Sequence, residues 1–70
     1  MNNHVHELVQ LVIRFNGYIR RSSAHYAMAV LGFCKDPGKD NFEFQKIVDE
    51  AEKQGLIRVT KTVRTTFLHI

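Results

Sequence analysis

At Gly55 the chain changes character, and that change limits what it can fold into. Upstream, apolar residues recur at three- and four-residue spacing, the stripe of an amphipathic helix. Downstream, residues 56–61 and 64–70 are rich in β-branched side chains with partial alternation, the pattern of strands. A linking stretch near Thr62 and Val63 is short enough to make the two strands a hairpin, although it lacks the usual Asn-Gly or Asp-Gly signal.

The helical part divides at its punctuation. Val5, Leu8, Leu11, Val12 and Phe15 place a first helix over residues 3–16, and Gly17 suits the left-handed residue that closes it. Residues 18–20 are short and β-favouring, so they predict a brief extended segment. Ser22 or Ser23 is the expected cap of a second helix that continues through Leu31 and stops at Gly32. Residues 35–39 form a Pro-Gly loop. Asp40 with Glu43 then resembles a capping box opening a third helix. It buries Phe44, Ile47, Val48 and Ala51 and closes at Gln54-Gly55.

The expected order is therefore helix, strand, helix, helix, strand, strand. In 70 residues this predicts a single α+β domain, three helices packed on a short three-stranded antiparallel sheet. With 44% hydrophobic and 24% charged residues, the composition is that of a globular chain, not a disordered one. Cys34 is the only cysteine, and no apolar run approaches the roughly 18 residues of a membrane span. The start Met1-Asn2-Asn3-His4 lacks a secretory layout. The expectation is a cytoplasmic, or nuclear, protein without a membrane partner.

The stretch from Phe44 to Ile57 (FQKIVDEAEKQGLI) resembles the winged helix-turn-helix superfamily, in which a recognition helix ends in polar-polar-Gly-Leu-Ile and enters a wing hairpin. The resemblance implies a DNA-binding domain with a role in transcription regulation. Here the loop between the second and third helices, residues 32–39, is longer than the three or four residues of a compact helix-turn-helix. That length is closer to the LOTUS branch of winged-helix domains, which is associated with RNA and with protein partners.

Charge placement bears on the mode of contact. Residues 40–53 carry five acids against two lysines, whereas the rest of the chain carries eight basic residues against Glu7 and Asp36. Carboxylates near phosphates are repelled, so the third helix is a poor groove reader, with only Lys39, Asn41, Gln45 and Lys46 at its start suited to base contact. The cations lie elsewhere: Arg58, Lys61 and Arg64 in the hairpin, and Arg20 and Arg21 before the second helix. If the first short strand pairs with the hairpin, these groups share one basic edge; the alternative is that the hairpin cations serve only to keep an edge strand from aggregating. Ser22, Ser23 and the first amides of the second helix would add phosphate contacts.

Other residues point less far. His4 and His6 fall on different faces of a helix, His25 and His69 are scattered, and no second cysteine exists, so no metal site is expected. No phosphate-binding glycine loop or nucleophile elbow is present, and Cys34 reads as a small buried hydrophobe, so neither catalysis nor a cofactor is expected. The aromatic residues Tyr18, Tyr26, Phe33, Phe42, Phe44 and Phe67 read as core. Phe42 is off the apolar stripe: burial under the 35–39 loop is expected, the alternative being an exposed ring that stacks on a base or anchors a partner. The partner expected from these residues is nucleic acid, DNA favoured over RNA. The alternative is another protein or a second copy of the chain, meeting Val9 and Ile13 beside the first helix's stripe.

Overall fold

The computed structural model describes residues 3–70. Met1 and Asn2, part of the start read above for a leader, lie outside the described residues. The fold is α+β, in the order α1 (Asn3–Arg14), β1 (Tyr18–Arg20), α2 (Arg21–Val30), α3 (Phe42–Lys53), β2 (Arg58–Lys61) and β3 (Thr66–His69). The expected order of elements is the observed one. Among the described residues no helix is long and apolar enough to cross a membrane.

Helix α1 buries Val5, Leu8, Leu11 and Val12, as its stripe predicts. Phe15 leaves the stripe and is 51% exposed, because the helix has already ended. Its closure is a Schellman motif: the Gly17 amide donates to the Val12 carbonyl at 2.8 Å and the Asn16 amide to Ile13 at 3.0 Å. Asn16, with φ 61, takes the left-handed position that the sequence assigned to Gly17. Asparagine tolerates that conformation better than other side chains do.

No loop separates β1 from α2. Arg20, extended at φ −67 and ψ 140, is the N-cap residue, and no side chain caps the helix. Ser22 and Ser23 thus sit inside the first turn, a correction to the capping role expected of them. Helix α2 buries Ala24, His25 and Met28. Helix α3 begins after Asn41, and Asp40 Oδ1 accepts from the Phe42 amide at 2.9 Å. This Asx-type turn stands in place of the expected capping box. At the far end Leu56 N donates to Ala51 O at 3.0 Å and Gly55 N to Glu52 O at 2.9 Å, with Gly55 at φ 75. Only the Leu56 amide folds back. Its side chain is 42% exposed, and Ile57 enters the core instead.

The sheet is antiparallel with β3 in the middle, in the order β1-β3-β2. Ile19, Leu68 and Val59 stand abreast in register and face the helices. They close a core with Leu8, Val12, Met28, Phe44 and Val48. The hairpin turn is fastened by Thr62, whose amide and hydroxyl both donate to the Thr65 carbonyl at 2.8 and 2.9 Å. Thr62 Oγ1 also accepts from the Thr65 amide at 3.0 Å.

Candidate nucleic-acid interface

Because Arg20 is paired with Phe67 across the sheet, the chain beyond each strand end also meets: Arg20, Arg21, Ser22, Arg64, Thr65 and Thr66 line one open cleft. The hairpin turn therefore lies against the first turn of α2. An α-helix leaves its first amides without intrahelical partners and carries partial positive charge at that end. In α2 no side chain caps those amides and no acidic residue lies in the first turn. The cleft thus combines guanidinium groups, hydroxyls and a helix N-terminus, a set of donors that suits phosphate oxygens. Ser23 is exposed on the same turn but does not line the cleft.

Arg21 behaves differently from its neighbour Arg20. Its Nη2 donates to Gln45 Oε1 at 2.6 Å, and its guanidinium carbon lies 5.0 Å from the centre of the Phe44 ring. The residue is half-buried and ties α2 to α3. Gln45 in turn donates through Nε2 to Asp49 Oδ1 at 2.8 Å. Lys46 lies 5.2 Å over the Phe42 ring, and Lys39 sits 3.9 Å from Asp36. Of the four residues at the start of the third helix suited to base contact, Gln45, Lys46 and Lys39 thus have intramolecular partners. Asn41 is exposed, its carbonyl accepting from the Gln45 amide at 3.0 Å. Phe42 is 70% exposed and not covered by the loop, which overturns the expected burial.

The hairpin cations do not share one edge. Strand side chains alternate between faces, so Arg58, level with His69, points away from the helices. Lys61, level with Thr66, points to the opposite face, and Arg64 lies in the turn at the cleft. The side chains of Arg20, Arg58, Lys61 and Arg64 have no hydrogen-bond or ion-pair partner among the described residues.

Sequence reasoning missed the sheet's outer face. Alternation about Ile19, Val59 and Leu68 turns Tyr18, Arg20, Arg58, Thr60, Phe67 and His69 outward together. Tyr18, 52% exposed, is therefore not core as expected, and neither is Tyr26 at 64%. The signal was legible in the alternation of three short segments, but it needed the strand order to bring them side by side.

No family model, curated protein or solved structure matches the chain. What the site can do therefore rests on its own geometry.

Two further groups have structural partners. His25, 1% exposed, stacks on Phe44 with centroids 4.4 Å apart and an interplanar angle of 5°. Its Nε2 donates to the Lys35 carbonyl at 2.9 Å, which pins the loop after α2 to the core. Cys34 is half-buried, and desolvation, with smaller contributions from Glu43 and Asp36, pushes its thiol pKa up. A thiol so disposed is a weak nucleophile at neutral pH. Among the described residues no group of three or more histidine, cysteine or acidic side chains is placed to hold a metal ion.

Proposed function

We propose that the chain is a nucleic-acid-binding domain of winged-helix type, a binding module and not an enzyme, which holds the phosphate backbone in the cleft between the hairpin and the start of α2. One observation carries this reading: Arg20 and Arg64, both without side-chain partners among the described residues, converge with Ser22 on the uncapped N-terminus of α2. Cations held apart from carboxylates attract polyanions, and no intramolecular ion pair must first be broken. Helix α3 contributes little to affinity in this reading, because Gln45, Lys46 and Lys39 are occupied within the molecule and acids surround them. Backbone contact thus outweighs base reading. A regulatory role in cytoplasm or nucleus accords with such a partner.

The test is fluorescence anisotropy with labelled DNA and RNA, duplex and single-stranded, at two salt concentrations. Affinity should fall steeply with salt. Arg20→Ala with Arg64→Ala should flatten the log–log slope by about 0.7–0.9 for each phosphate that is no longer neutralised. An unchanged slope in the double variant would remove the cleft from the account.

A second reading, a protein-interaction or dimerisation module, has its own observation. Tyr26, Val30 and Leu31 are exposed on α2 and just beyond it, as is Ile13 on α1, whereas Val9 packs against the core and leaves that face. Concentration-dependent self-association abolished by Tyr26→Ser with Val30→Ser would favour it.

A further inference from the structure

We propose that the outer face of the sheet stacks the bases of single-stranded nucleic acid, while Arg20 and Arg58 hold the phosphates on either side. The inference rests on the phosphate-binding reading above and deepens it by naming the form of nucleic acid.

The register sets two rows across this face. Tyr18, His69 and Arg58 stand abreast in one, and Arg20, Phe67 and Thr60 in the next. Between the rows the rings of Tyr18 and Phe67 are already stacked, 4.7 Å apart at 26°. Tyr18 also lies 5.9 Å from the His69 ring, and Thr60 Oγ1 holds His69 Nε2 at 2.8 Å. Half of Tyr18 remains open to solvent, so a third flat ring can extend the stack.

Charge chooses the occupant. None of the three strands contains a carboxylate, and the flanking guanidinium groups of Arg20 on β1 and Arg58 on β2 are exposed without partners among the described residues. The ligand that fits is therefore flat and apolar in its middle and anionic at its sides. Three strands span about 10 Å, the scale of a short run of nucleotides and not of a long polymer face. A duplex keeps its base faces inside and offers only edges and backbone, so it reaches the cleft but not the ring stack. Unpaired bases reach both, and aromatic stacking of this kind tolerates any base. Arg20 belongs to cleft and face alike, which makes the two surfaces one continuous track.

The chain has two tyrosines and no tryptophan, which supplies a direct probe. In a Tyr26→Phe variant all tyrosine emission comes from Tyr18. We would titrate this variant with oligothymidylate and oligouridylate of about twelve nucleotides, and with a DNA duplex of the same length. The single strands should quench Tyr18 emission strongly and the duplex should not. Tyr18→Leu with Phe67→Leu should weaken single-strand binding about tenfold and duplex binding less than about twofold. If the leucine variant does not fold, the emission titration still decides. Single strands that bind without changing Tyr18 emission would overturn the inference and leave the cleft reading standing. Failure of single strand and duplex alike to bind would end both.

Discussion

Helix α3 with the loop before it and the sheet with the start of α2 carry charge in opposite ways. Residues 36–53 hold six of the seven acids, and four of these have partners close by in the chain: Asp36 with Lys39, Asp40 with the Phe42 amide, Asp49 with Gln45, and Glu50 with Gln54 just past the helix end. The three strands hold no acid, and Arg20, Arg58 and Lys61 are exposed without partners among the described residues. Exposed like-signed groups gain nothing for folding, since surface charges contribute little even when paired. The difference separates a region whose charges serve the fold from one whose charges need an external counterpart.

The largest test of this contrast exchanges one residue type between the regions. Phe44, fully buried between His25 and Arg21, should cost about 3–5 kcal/mol when replaced by alanine. Phe67, half-buried on the outer face, should cost about 1 kcal/mol. Urea unfolding measures both, and equal losses would mean the outer face is core after all. Next in size is binding: Arg20→Ala with Arg64→Ala should lower affinity about tenfold, while Lys46→Ala with Lys53→Ala should change it less than about twofold. Comparable losses from the two pairs would erase the contrast.

Smaller again is Gln45→Ala, which removes the partner of the half-buried Arg21. It should cost about 0.5–1.5 kcal/mol in urea unfolding and leave binding nearly intact. The smallest effect concerns Cys34, whose pKa burial raises above the ordinary 9.0. A raised folded value means that the thiol's contribution to stability is complete below the ordinary pKa and is lost as pH climbs through the folded one. Alkylation by iodoacetamide should accordingly reach its half-maximal rate at higher pH in the folded than in the urea-unfolded chain.

The elements and their order were legible because each helix ends at a glycine or asparagine and the strands carry a distinct composition. Helix stripes placed the core through Leu8, Val12, Phe44 and Val48. Caps were misassigned because β1 runs directly into α2, leaving Arg20 where a serine was expected. The candidate site was only half legible. Sequence shows which residues are cationic, but pairing alone decides that Arg58 and Lys61 face opposite ways and that Arg21 is consumed by Gln45. The ring stack of Tyr18 and Phe67 depends on residues far apart in the chain, which no local periodicity brings together.

The most direct test of the proposed polyanion surface is a ¹⁵N–¹H spectrum of the domain titrated with a single-stranded oligonucleotide at low and high salt. Amides of residues 18–23 and 58–69 should shift in proportion to bound ligand, and the shifts should fade as salt rises. Shifts concentrated in residues 39–53 would contradict the account, because they would put the contact on the acidic helix.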